Sequence, residues 1–172
     1  GLGAVYHTVN PRLFPEQIAY IMNHAEDRIM LTDLTFVPLL EKLQDHLKTV
    51  ERYVILTDAA HMPDTSLRGA VAYEEWIGAE DGDFAWRDFD ENTACGMCYT
   101  SGTTGKPKGV VYSHRSNVLH AIAVSVPNVL DLGPADVVMP VVPLFHANRW
   151  SPAFSVPMSG PTLVMPGPEV GR

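Results

Sequence analysis

Pro15-Glu-Gln-Ile-Ala-Tyr-Ile-Met-Asn-His-Ala25, followed after two residues by Arg28-Ile-Met-Leu-Thr32, is the stretch on which the reading of the fold turns. Pro15 suits a first helical position and Glu16 the positive end of a helix dipole. Ile18, Ile21, Met22 and Ala25 recur at i, i+3, i+4 and i+7, so the spacing predicts a helix with one apolar face. Arg28 to Thr32 lacks that period and reads as a buried strand. The alternation then repeats. Asp33 or Thr35 can cap a second helix with Leu39, Leu40, Leu43 and Leu47 as its stripe and Glu41, Lys42 and Lys48 outside, and Tyr53 to Leu56 is a further strand. Upstream, Val5 to Val9 is a short β-prone run closed by Asn10-Pro11. Two strand-helix alternations in succession predict βαβ units: an α/β fold of mainly parallel sheets with helices on both faces.

Farther from that stretch the pattern changes. Thr57 to Asp90 is broken by Pro63, Gly69, Gly78 and Gly82 and is rich in Asp and Glu, which predicts a surface connection with one short helix near Tyr73 to Ile77. Its carboxylates have no fixed spacing and read as a solvated face, not a metal site. From Ala94 the order is strand, loop, strand, then a helix from Ser113 to Val126 with Leu119, Ile122, Ala123 and Val126 as its stripe. Val137 to Val142 and Thr162 to Met165 read as strands. Between them Phe145 to Pro157 admits a helix, provided that Pro152 falls in its first turns or kinks it.

Composition narrows the function. The 172 residues are 46% hydrophobic with mean hydropathy near zero, as expected of a soluble globular domain with a real core. A formal charge of −8 opposes nucleic-acid binding, which needs a basic stripe. No apolar run reaches the roughly 20 residues that span a bilayer and no signal-peptide pattern opens the chain, so the expected location is cytoplasmic.

Positive charge concentrates instead in Tyr99-Thr-Ser-Gly-Thr-Thr-Gly-Lys-Pro-Lys-Gly109. Gly102, Gly105 and Gly109 permit close backbone approach, so that successive N–H groups can converge on one anion. Ser101, Thr103 and Thr104 add hydroxyl donors, and Lys106 and Lys108 add point charges. Pro107 keeps the segment out of a helix. These features describe a phosphate-binding loop. The order differs from Gly-x-x-x-x-Gly-Lys-Ser/Thr, because Pro107 follows Gly105-Lys106 and the strand-like Gly109-Val-Val-Tyr-Ser113 comes next. A different class of nucleotide enzyme is implied.

The loop, continued through His114, resembles the signature of the adenylate-forming superfamily, which includes acyl-CoA synthetases, luciferases and peptide-synthetase adenylation domains. Pro143-Leu-Phe-His-Ala-Asn-Arg-Trp150 resembles that superfamily's acyl-pocket motif, and Gly3-Ala-Val-Tyr-His-Thr-Val-Asn-Pro-Arg12 the region upstream in its fatty-acyl-CoA ligase branch. The resemblance implies that residues 1–172 are part of the large N-terminal AMP-binding domain, truncated at both ends and without the C-terminal domain. The activity it implies joins a carboxylic acid to ATP as an acyl-adenylate and passes the acyl group to coenzyme A, with Mg2+ as cofactor. Thr100 matches the metal-touching residue. Ser101, Gly102, Thr103, Thr104, Gly105, Lys106, Lys108 and Gly109 match the nucleotide loop. His146 matches the residue facing the carboxylate or adenylate, Asn148 lies within the acyl-pocket motif, and Trp150 matches a gate on a fatty-acid tunnel. Ala147 and Arg149 depart from the pattern and leave acyl length open. The partners implied are ATP, a carboxylic acid and CoA, and a full-length member is compatible with a homodimer. Aromatic or short sulfur-containing acids stay open as substrates, and a noncatalytic nucleotide-binding or interaction module is the alternative from another class.

Cys95-Gly-Met-Cys98 invites a redox or zinc reading. A second ligand pair for zinc is missing from the sequence. In a regular strand, residues three apart face opposite ways roughly 10 Å apart, too far for a disulfide. Reduced structural thiols are the expectation.

Overall fold

In the computed structural model, residues 2–100, 106–142, 145, 151–165 and 167 are described. They group into two compact units.

One unit comprises Pro11–Trp86 and Gly102–Pro107. Helix α1 (Pro15–Ala25) starts at the expected proline, and Gln17 Oε1 accepts from Phe14 N–H at 3.2 Å. It stops where Glu26 turns left-handed at φ 58°, with Asp27 N–H bonded to the Met22 carbonyl at 3.0 Å. Strands β2 (Ile29–Thr32) and β3 (Arg52–Ile55) pair in parallel. Helix α2 (Val37–Leu43) forms the crossover and is preceded by a 3-10 turn over Leu34–Phe36. Asp33 caps that 3-10 turn, not α2 itself, accepting Thr35 N–H at 2.8 Å, so Thr35 is the donor.

Strand β4 (Val71–Ala72) also runs parallel to β3 and places β3 at the centre of the sheet. The sequence does not announce it, because two residues carry no period. Helix α3 (Tyr73–Gly78) is where it was expected. Successive side chains of a strand face opposite ways, and Tyr53, Val54 and Ile55 are all buried, so both faces of β3 are covered. β2 meets the expectation of burial on one face only: Thr32 is buried, whereas Ile29 and Leu31 are exposed. Leu31 lies beside Val54 in register, so the layer covering the central strand stops short of the edge strand. Helical stripes complete the core with Ile18, Ile21, Met22, Val37, Leu40 and Leu43, joined by Leu47 just beyond α2.

The other unit comprises Gly1–Asn10, Arg87–Ser101 and Lys108–Arg172. Its principal sheet has the order β1-β5-β6, with β1 (Tyr6–Thr8) parallel and β6 (Lys108–Ser113) antiparallel to the central β5 (Ala94–Thr100). Helix α4 (His114–Ser125) begins as predicted, with Ser113 Oγ accepting Ser116 N–H at 3.1 Å. Its predicted apolar stripe is not its buried side. Ala121 is buried, whereas Leu119, Ile122 and Val126 are exposed. Strands β7 (Val137–Val138) and β8 (Thr162–Leu163) are short and parallel. Helix α5 (Pro152–Ser159) starts at Pro152, later than the earliest start that the sequence allows, since proline suits the first turn.

A bulge corrects the geometry expected of the cysteines. The β5–β6 register shifts between Ala94 and Gly96, which breaks the two-residue alternation at Cys95. Both sulfurs then lie on the side where Tyr6 crosses Gly96. Asn117 Nδ2 reaches Cys95 Sγ at 3.1 Å and the Tyr6 hydroxyl at 3.2 Å, and Cys98 Sγ lies 3.7 Å from the Tyr112 hydroxyl. The thiols are nonetheless free, and burial raises the pKa of Cys95. Such a thiol stays protonated and is a poor nucleophile, in keeping with a structural role.

Candidate nucleotide and acyl site

The loop read as phosphate-binding joins two antiparallel strands. β5 and β6 are in register from Gly96 with Tyr112 to Thr100 with Lys108. Thr100 and Lys108 therefore face each other at the mouth of the hairpin, where Thr100 Oγ1 approaches the Lys108 carbonyl at 3.5 Å. Both are exposed. A hydroxyl and an ammonium at the edge of one opening form a donor pair suited to an anion. Pro107 gives up an N–H where the ladder has not yet begun, so it costs the sheet no hydrogen bond. Ser101, Gly102, Thr103, Thr104 and Gly105 lie outside the described residues.

The two described glycines of the hairpin make room for rings. A Cβ on Gly109 would stand 3.1 Å from Cζ of Tyr99, its cross-strand partner. At Gly96 a Cβ would collide with the ring of Tyr6. Tyr6 continues into a tilted ring contact with Phe154 of α5, centroids 5.8 Å apart. Burial raises its phenol pKa, so the hydroxyl stays protonated while it receives the Asn117 bond. On the other face of the sheet His7 meets Tyr99, ring centroids 5.3 Å apart. Aromatic packing on both faces thus braces the strand that leads into the loop.

Sequence reasoning did not single out Thr8 as a link between the motifs. Its hydroxyl donates to the Phe145 carbonyl at 3.3 Å, and Thr8 is paired with Cys98, two residues before Thr100. The backbone immediately before His146 is thereby tied to the strand end from which the phosphate loop departs. No local pattern announces a contact across 137 positions. The side chains of His146, Asn148 and Trp150 lie outside the described residues. Lys106 is described, and its ammonium rests over the Tyr20 ring, 5.2 Å from the centroid. Among the described residues no cluster of three His, Cys, Asp or Glu side chains is placed to hold a metal. None of their helices is long and apolar enough to cross a membrane.

The family model for AMP-binding enzymes matches residues 1–171. The chain belongs to this family. Among curated relatives, 3-methylmercaptopropionyl-CoA ligase of Ruegeria pomeroyi is 50% identical over 99% of the chain and 32% of its own length. Medium-chain-fatty-acid–CoA ligase of Ectopseudomonas oleovorans is 48% identical over 99% of the chain and 31% of its own length. Long-chain-fatty-acid–CoA ligase of Thermus thermophilus is likewise 48% identical over 99%, covering 30% of that protein. The chain thus spans about a third of the length of these relatives. Among solved structures, an anthranilate CoA ligase in complex with anthranoyl-AMP superposes with TM-score 0.83 at 26% identity, over 96% of this chain and 31% of that one. A luciferase from Phrixothrix hirtus, 23% identical with TM-score 0.80 over 95% of this chain and 40% of that one, shares the fold. The α/β architecture with mainly parallel sheets is that of the N-terminal domain of adenylate-forming enzymes.

Proposed function

We propose that these residues are part of an ATP-dependent acyl-CoA ligase, carrying its pyrophosphate-side loop and part of its acyl pocket within the N-terminal domain. The observation that carries the reading is the Thr8–Phe145 bond, which ties the acyl-pocket motif to the end of the strand that opens the phosphate loop. Identities of 48–50% to CoA ligases across 99% of the chain support it.

In the first half-reaction a substrate carboxylate oxygen attacks the α-phosphorus of ATP, an O–P bond forms, and the bond to pyrophosphate breaks. In the second, the sulfur of coenzyme A attacks the acyl carbon and AMP departs. Positioning and charge neutralisation account for most of what the protein must do. Thr100 and Lys108 at the hairpin mouth, with Ser101, Gly102, Thr103, Thr104, Gly105, Lys106 and Gly109, bind the departing pyrophosphate. His146 faces the carboxylate, and Asn148 and Trp150 line the acyl pocket. Mg2+ entering with the nucleotide would supply charge neutralisation, and Thr100 would be the residue of this chain that contacts it. The substrate is a fatty acid. The relatives' names run from a methylmercapto acid to long-chain fatty acids at nearly equal identity, so a short sulfur-containing acid is the second reading. A cytoplasmic location and a homodimer complete the proposal.

The test uses the complete ligase with a panel of acids, following acid-dependent pyrophosphate exchange and, separately, thioester formation from supplied acyl-adenylate. Lys108→Ala should slow adenylation by the equivalent of about 2–4 kcal/mol, the range for losing one donor to developing charge, and the thioester step much less. Equal slowing of both steps would contradict the assigned role of the loop. No exchange with any acid would overturn the ligase reading.

A further inference from the structure

Lys106 belongs to the loop, yet the group that holds its ammonium does not. Nζ stands 5.2 Å from the centroid of Tyr20, inside the about 6 Å within which a ring face attracts a cation. Tyr20 is half-buried in the middle of α1. His24, one turn later, lies beside it with ring centroids 5.4 Å apart, so the ring has a neighbour on its own helix as well as the lysine. Lys108 instead begins β6 opposite Thr100. The two lysines, separated by one proline, are therefore held by different parts of the chain.

We propose that Tyr20 is a positioning residue for the phosphate-binding loop: in the nucleotide-free ligase its ring holds the Lys106 ammonium, and ATP competes with the ring for that cation. The inference rests on the reading of the chain as an ATP-dependent ligase. A polyphosphate carries several charges and draws an ammonium more strongly than a neutral ring does. The cation therefore leaves Tyr20 when ATP binds, and the apparent affinity for ATP is scaled down by the fraction of molecules whose Lys106 is off the ring. The ring quadrupole sets that population, with Trp the strongest partner. The phenol hydroxyl has no part in it.

The experiment measures KM for ATP in acid-dependent pyrophosphate exchange by the complete ligase. Tyr20→Leu keeps an apolar side chain on α1 but removes the ring, and should lower KM for ATP by about 2- to 5-fold, the equivalent of one exposed cation–π contact. It should change kcat less than KM. Tyr20→Phe should match the wild type, and Tyr20→Trp should raise KM. In a Lys106→Gln background, Tyr20→Leu should have no further effect. An unchanged KM in Tyr20→Leu, or a shift that survives Lys106→Gln, overturns the proposal.

A second readout needs no turnover. Reductive methylation of the ligand-free protein, quantified by mass spectrometry, should label Lys106 faster relative to Lys108 in Tyr20→Leu and at the wild-type ratio in Tyr20→Phe. An unchanged ratio in Tyr20→Leu overturns the ring contact even if the wild type shows no exchange, an outcome that would count against the ligase reading alone.

Discussion

The unit built on β2, β3 and β4 and the unit that carries the hairpin differ in how far the apolar faces of their helices are covered. In the first, Met22, Val54 and Ile55 are fully buried. In the second, Leu119 of α4 is 52% exposed and Val111 of β6 56% exposed, although Leu119 belongs to a predicted apolar stripe and Val111 to a predicted strand. Apolar spacing marks a face made to be covered and leaves open what covers it. For α1 and α2 the cover lies within the same unit. For α4 the described residues supply contact mainly on the Ala121 side, through α5. The curated relatives are about three times as long as this chain, which accords with the proposal that these residues are one part of a larger domain.

Emptying one site in each unit should separate them most clearly. Ile55→Ala should cost about 2–5 kcal/mol because it leaves a cavity on a strand covered on both faces. Leu119→Ala in this chain should stay within about 0.5 kcal/mol, as for surface substitutions. Urea midpoints at constant slope measure both. A Leu119→Ala cost comparable to that of Ile55→Ala would show that the α4 face is covered after all.

A more modest loss is expected at Gly96, where an added methyl would collide with the Tyr6 ring. Gly96→Ala should cost about 1–3 kcal/mol as an overpacked site. Tyr6→Ala in the same chain should remove most of that increment, because the clash then has no partner. Additive losses in the double variant would place the cost elsewhere in β5.

The weakest response concerns pH and belongs to the well-covered unit. Backbone and hydroxyl donors at Ser66 and Thr65 hold the Glu41 carboxyl below the usual range, and Thr35 does the same for Asp33. A carboxyl whose folded pKa is depressed adds stability above its unfolded value, near 4. That stability is lost as pH falls through the folded value. Stability should therefore decline on acidification below about pH 4.5. Glu41→Gln should lower stability at pH 7 while narrowing its gap to the wild type at pH 3. A constant gap between those pH values would mean that the Glu41 bonds contribute without regard to charge.

Local chemistry makes much of this legible in the sequence. Pro15 at the start of α1, the Asp33 and Ser113 caps, the stripe of Ile18, Ile21 and Met22, and the strand-helix alternation each depend on residues within a turn or two of one another. The segment from Tyr99 to Gly109 is equally local: it reads as an anion loop because its glycines, hydroxyls and lysines are contiguous. Packing at long range decided the rest: which predicted faces are covered, where the bulge at Cys95 turns both thiols to one side, and that Thr8 bonds to Phe145 while Lys106 settles on Tyr20. Each of these depends on groups brought together across a long stretch of chain, and the free energy of such contacts depends on a neighbour that no local pattern specifies.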